Sequence, residues 1–226
     1  MPYLALDTST EYLSLALTTP GGIVARQWHV GQRHAERTLP ELETLLAETG
    51  IARGELEGIA YGMGPGSFTG LRIGCGIAQG LAFGLGVKLV GISTLAALAA
   101  GCDAPRVYAC LDARMNQVYA AAFEQVNGDW REVTAAVVSD PQAVPLPEGE
   151  GWIGVGSGFA AHGDALAQRL GAQLGTMLPD HFPQARDLLR LALPVFERGD
   201  ALAPEDAPLV YLRDKVALKT SERLKP

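Results

Sequence analysis

The sequence predicts an α/β protein built as two halves, each a mixed sheet carrying helices. Three observations predict it. The pattern order β-β-β-α-β-α-β-α runs through residues 1–102 and can be read again through 103–204. An Asp closes the first strand of each half, Asp7 and Asp112. Three strands joined by tight turns precede βα units, which puts antiparallel and parallel pairing in one sheet. Of the 226 residues, 48% are hydrophobic and 19% charged, values that exclude a disordered chain, and the length suffices for one large domain or two modest ones. A cleft between the halves is the expected place for a site.

In the first half, YLALD (residues 3–7) is a short apolar strand, 13–18 a second, and Pro20-Gly21-Gly22 turns into a third over 23–30. Over 35–49, Leu39, Leu42, Leu45 and Leu46 recur at helical spacing and Gly50 ends the run, while Pro40 is expected to kink or delay the helix. A strand over 56–61, a helix over 67–85, a strand over 87–90 and an Ala/Leu helix capped by Ser93 complete the half. In the second half, strands are expected over 107–111, 117–124, 131–138, 152–155 and 172–177. A helix capped by Ser157 is expected to run to about 170, and another over 183–198. The Pro/Gly/Glu-rich stretch 139–150 replaces the first helix with a loop. Residues 205–226 read as a tail packing back on the first half, with a basic end (Arg213, Lys215, Lys219, Arg223, Lys225) that is either a solvated surface or a contact for RNA or an acidic partner.

Ten of the 27 glycines fall between Gly62 and Gly91, a stretch with only two charges, Arg72 and Lys88. A helix this apolar all round has no face for water. On a helical wheel Gly70, Gly74, Gly76, Gly80 and Gly84 share a broad face with Ile73, Ile77 and Leu81. Phe68, Leu71, Cys75, Ala78, Ala82 and Phe83 take the other, with Arg72 and Gln79. Each glycine costs about 1 kcal/mol against alanine in a helix, so close approach of another backbone must repay it. The helix is either sandwiched inside one domain or shared with a partner subunit; the lack of charge favours the partner.

Signals for chemistry are thin. Gly64-Pro65-Gly66 is followed by no Lys-Ser/Thr, Gly70 comes one residue late for a dinucleotide loop, and Ser67 in GPGSFTG misses the nucleophile-elbow pattern, so a tight turn fits best. A loop that wraps phosphate needs glycine soon after the Asp; here Ser9 and Arg114 stand there. Gly154-Val155-Gly156-Ser157-Gly158 is either a nucleotide-base loop or a strand-to-helix turn. His29, His34, His162 and His181 include no pair three or four apart, which signals no helical metal site. Cys75, Cys102 and Cys110 read as reduced core thiols. The net charge of −7 argues against an unaided grip on nucleic acid. The N-terminus lacks a basic region before its short apolar run, and segment 68–87 carries Arg72 and Gln79, so a cytoplasmic protein without a membrane span is expected.

GMGPGSFTGLRIGCGIAQGLAFGLGVKLVGISTLAALA, supported by LALDTST, RHAERTLPELETLL, DARMNQVYAAAF and PLVYLR, resembles the TsaB family. These are the dimerisation subunits of the bacterial machinery that makes threonylcarbamoyladenosine beside the tRNA anticodon. The resemblance implies two ribonuclease-H-like halves of the actin and sugar-kinase kind. It implies no catalytic residue and no metal, since the histidine pair of the catalytic relative TsaD has no counterpart here. It implies no cofactor beyond weak, vestigial ATP or ADP binding at Asp7, Ser9, Thr10, Asp112, Arg114, Gly156 and Ser157. It further implies a heterodimer with TsaD, joined by the ATPase TsaE, through helices 35–49 and 67–85. The interface residues expected are Leu42, Leu45, Phe68, Leu71, Arg72, Gly74, Cys75, Ala78, Gln79 and Ala82. Alone, the chain would pair with itself through the same surface, and tRNA would be met mainly through the partner. The rival readings are a small-molecule kinase, with Asp7 and Asp112 near magnesium, and a metallopeptidase of the same superfamily.

Overall fold

A computed structural model describes residues 1–213. Strands β1 (Tyr3–Asp7), β2 (Tyr12–Thr19) and β3 (Gly22–His29) form an antiparallel meander, and β4 (Gly58–Gly64) and β5 (Lys88–Ser93) extend it in parallel, giving the order β3-β2-β1-β4-β5. Strands β6 (Arg106–Arg114), β7 (Gln117–Val126), β8 (Asp129–Ser139), β9 (Trp152–Val155) and β10 (Leu174–Leu178) repeat that topology as β10-β9-β6-β7-β8. The duplicated α/β architecture is therefore present in both sheets.

The period of two along each strand sorts side chains by size. Leu4, Leu6, Leu13, Leu15, Leu17, Ile59 and Tyr61 face helices α1 (His34–Thr49) and α2 (Phe68–Leu85). Ala5, Ala16 and Ala60 face the opposite way, where small side chains let helix α5 (Ala185–Arg198) approach with Leu188, Leu189 and Ala192. In the second sheet Tyr108, Cys110, Val118 and Ala120 pack on α4 (Ser157–Leu170), and Val107, Ala109, Leu111 and Phe123 on Leu95, Leu98 and Ala99 of α3 (Thr94–Ala100). Each half thus lends its last helix to the interface: α3 packs on the second sheet and α5 on the first. The expected second unit, 103–204, contains α5, whose packing belongs with the first sheet. Covalent order and packing part company there because the apolar face of α5 is buried against the first sheet, while α3 packs on both sheets.

Local expectations mostly survive. Gly50 ends α1 in the left-handed region at φ 68°, and Ser67 and Ser93 cap α2 and α3 by accepting from Gly70 and Ala96. The stretch 139–150 holds only a short turn of 3₁₀ helix, Pro141–Ala143. Two expectations fail. Helix α1 runs unbroken through Pro40, whose exposed position leaves the Glu36 carbonyl to water, and Leu39 points outward at 46% exposure. Ser157 does not cap α4: Gly156 holds that position, and the Ser157 hydroxyl instead accepts the Asp112 N–H at 3.1 Å.

The segment after α5 returns along the first half. The Leu202 N–H and carbonyl pair with Leu89, Tyr61 Oη donates to the Pro208 carbonyl at 2.6 Å, and the Val210 N–H donates to the Met63 carbonyl at 2.8 Å. The basic residues beyond Arg213 lie outside the described residues.

Candidate functional site

Two features stand out: the outer face of α2 and the cleft between the halves. Helix α2 lies on the loop that follows β1. The Ser67 N–H donates to the Ser9 carbonyl at 2.8 Å and Thr8 Oγ1 donates to the Gly70 carbonyl at 2.8 Å. A Cβ on Gly70 or Gly74 would collide with Thr8, and one on Gly66 would stand 2.6 Å from the Ser9 carbonyl oxygen. These three glycines exist so that the helix can touch its own chain. Gly76, Gly80 and Gly84, spaced by four, are different: among the described residues a Cβ added at any of them meets nothing within 4 Å. They line an outward stripe with Phe83, 62% exposed, above the exposed Phe68 and Arg72.

This divides the helix differently from the wheel, and it separates the residues expected at an interface into buried and exposed ones. Leu42, Leu45, Leu71, Gly74, Cys75, Ala78 and Ala82 are buried in the chain's own core, packed on the first sheet and its loop, so no partner can touch them in this fold. Phe68 and Arg72 keep surface. Gln79 is half-buried, its Nε2 donating to the Pro204 carbonyl at 2.8 Å. The outward stripe of Gly76, Gly80, Phe83 and Gly84 lies outside the residues expected at an interface; the four-residue spacing of its three glycines is its trace in the sequence.

The cleft has a volume of about 1030 Å³. It gathers Ser9 and Thr10 from the first half and Asp112, Arg114 and Ser157 from the second. Asp7 and Gly156 lie behind its wall. Asp7 is 1% exposed; its Oδ1 accepts the Ser9 N–H at 3.1 Å and Ser9 Oγ at 2.7 Å, while Oδ2 has no partner. Burial pushes its carboxyl up to about 6, against the lowering effect of the Ser9 bonds. Asp112 Oδ1 accepts the Arg114 N–H at 2.9 Å, and Oδ2 pairs with Arg114 Nη1 at 3.0 Å. The backbone donors of Ser9 and Arg114, where a phosphate loop would present N–H groups to its ligand, are spent on these two carboxylates. These two N–H groups are therefore not free to meet a ligand.

The Gly154–Gly158 stretch resolves as a strand-to-helix turn. A Cβ on Gly154 would stand 2.5 Å from the Phe159 ring, and one on Gly156 or Gly158 would collide with Cys110. A residue that the sequence reading missed is His162, at a kink in α4 with φ −138°, whose Nε2 stands 3.9 Å from Asp112 Oδ1. Among the described residues no group of three or more His, Cys, Asp or Glu side chains gathers as a metal site, and no helix is long and apolar enough to cross a membrane.

Comparison with known proteins places the chain. Residues 8–172 match the family model described as TsaD, tRNA N6-adenosine threonylcarbamoyltransferase. An Escherichia coli protein named tRNA threonylcarbamoyladenosine biosynthesis protein TsaB is 40% identical over 97% of both chains. A Haemophilus influenzae protein of the same name is 35% identical over 96% of this chain and 95% of its own. The solved structure of YeaZ from Pseudomonas aeruginosa is 37% identical and superposes with a TM-score of 0.87 over 93% of this chain and 99% of that one. These near-full-length likenesses, on a fold of two matched sheets, show that the chain belongs to the TsaB family of tRNA threonylcarbamoyladenosine biosynthesis proteins.

Proposed function

We propose that the chain serves threonylcarbamoyladenosine formation in tRNA as a non-catalytic subunit. It pairs with the catalytic subunit TsaD through the outer face of α2, recruits the ATPase TsaE to that pair, and meets tRNA mainly through its partner in the cytoplasm. Isolated, it pairs with a second copy through the same face. One observation carries the reading: Gly76, Gly80 and Gly84 present bare backbone on the outer face of α2, and among the described residues a Cβ added at any of them meets nothing within 4 Å. Three glycines in a solvent-facing helical stripe cost about 1 kcal/mol each. A partner helix that comes within backbone distance offsets that cost through contact area and excluded water. The subunit then acts by stabilising one arrangement of its partner, by differential binding. The sealed position of Asp7 and the commitment of Asp112 to Arg114 support a role without chemistry. The net charge of −7 supports an indirect meeting with tRNA.

The test is Gly80→Arg. The side chain enters open space and arginine is a better helix former than glycine, so the variant keeps or raises the thermal midpoint. Co-purification with TsaD is expected to disappear while circular dichroism stays unchanged. A complex retained at wild-type stoichiometry refutes the reading. ATP turnover by the isolated chain would favour the kinase reading in its place.

A further inference from the structure

The halves are held together unevenly. Among the described residues, no hydrogen bond or ion pair joins residues 1–101 to residues 106–178. The direct contact between them is the apolar packing of Leu95, Leu98 and Ala99 on the second sheet. An apolar joint of this kind resists separation and resists rotation poorly, because dispersion and hydrophobic burial are non-directional. Polar anchors occur where the chain crosses back. Gln27 Nε2 donates to the Pro183 carbonyl at 3.2 Å and the Ala185 N–H donates to Ser14 Oγ at 2.9 Å, both at the entry to α5.

One further crossing lies at the cleft. The segment after α5 is pinned to the first half at Pro204, Pro208 and Val210, and Tyr211 then packs on Phe68 and accepts from Arg72 Nε at 3.1 Å. Two residues later Arg213 reaches the other side. Its Nη2 donates to Gln117 Oε1 at 2.8 Å and to the Arg114 carbonyl at 3.4 Å, and its Nη1 stands 3.1 Å from the Met115 sulfur. Val210, Tyr211 and Arg213 all line the cleft. The turn that Arg213 grips is itself unusual: Arg114, Met115 and Asn116 have φ of 62°, 55° and 57°, three consecutive non-glycine residues in the left-handed region. Such residues cost of order 1 kcal/mol or more each and persist only where their surroundings hold them.

We propose that residues 204–213 are a strap that sets the opening of the cleft, with Arg213 as its clasp on the β6–β7 turn. The rigid part runs on the first half, the clasp is a fork of donors on the second, and the apolar joint at α3 is the pivot. The guanidinium suits this role because its planar fork serves several acceptors at once. The strap is also anchored to α2 through Gln79, Arg72 and Phe68, and both it and the first turns of that helix line the cleft.

The test uses the full chain alone, which keeps it separate from partner binding. Spin labels are placed at Glu36→Cys on α1 and Asp164→Cys on α4, both exposed, in a Cys102→Ala background. Distances are measured for wild-type Arg213, Arg213→Ala and, as an independent way to remove the same contact, Gln117→Ala. Both substitutions are expected to broaden the distribution and shift it outward, and to quicken amide exchange over 113–118 by about tenfold, the mark of local opening. Distributions and exchange that superimpose on wild type in both variants overturn the proposal. Failure of Gly80→Arg to break the TsaD complex would leave these measurements unchanged, so the two readings fall separately.

Discussion

Asp7→Asn is expected to stabilise the chain at neutral pH and to do so less as the pH falls. The carboxyl is sealed behind the cleft, and its Oδ2 has no partner. The Thr94 hydroxyl is likewise unpartnered, and both atoms surround the place a Cβ on Gly62 would take. Asparagine keeps the Oδ1 that accepts from Ser9 and removes the buried charge. Burial raises the carboxyl from 3.8 to about 6. At about 1.4 kcal/mol per pKa unit, ionised Asp7 costs the fold about 3 kcal/mol. The sign follows from proton binding. Between pH 3.8 and about 6 the native state holds this proton while the unfolded chain has lost it, so stability drops as pH rises through that window. The advantage of Asp7→Asn over wild type should therefore reach about 3 kcal/mol at pH 8 and shrink below about 1 kcal/mol near pH 4. Urea unfolding of both proteins at the two pH values measures it. An advantage independent of pH, or larger at pH 4, would show that Asp7 is not held protonated by burial.

Two further outcomes follow from the same structure. Gly74→Ala and Gly80→Ala should move stability in opposite directions: the first drives a Cβ into Thr8 and lowers the melting temperature, while the second enters open space and gains up to about 1 kcal/mol of helix propensity. Equal effects in thermal denaturation would contradict the assignment of inner and outer faces. Among the thiols, Cys102 is partly exposed whereas Cys75 and Cys110 are buried, and burial raises the pKa of all three. Titration with a thiol reagent at pH 8 should modify Cys102 first, slowly for a free thiol, and reach Cys110 only on unfolding; prompt reaction of all three would refute the packing.

Reading the chain without coordinates succeeds where the signal is local. The Leu/Ala alternation of LALDT and LSLALT, the Ser67 and Ser93 caps and Gly50 all act within a few residues, so their consequences are written in the immediate sequence. The cleft residues were half legible. Ser9, Thr10, Asp112, Arg114 and Ser157 come together as the duplicated strand order implies, yet nothing local reveals that Ser9 and Arg114 spend their N–H groups on Asp7 and Asp112. Which side of α2 lies on the sheet and which faces outward was not legible in the sequence. Leu71, Cys75, Ala78 and Ala82 look as apolar as Ile73, Ile77 and Leu81, so hydropathy offers little contrast from which to orient the helix.

The sequence by itself determined the elements, their duplicated order and the caps and turns between them, because strand alternation, helix spacing and left-handed glycines are short-range constraints on one segment of backbone. Tertiary structure alone decided what the glycines of α2 are for. A glycine carries no side chain to declare a direction, so Gly70 and Gly74 differ from Gly76, Gly80 and Gly84 through Thr8, more than sixty positions earlier in the chain, whose carbonyl and hydroxyl come to rest against one side of the helix.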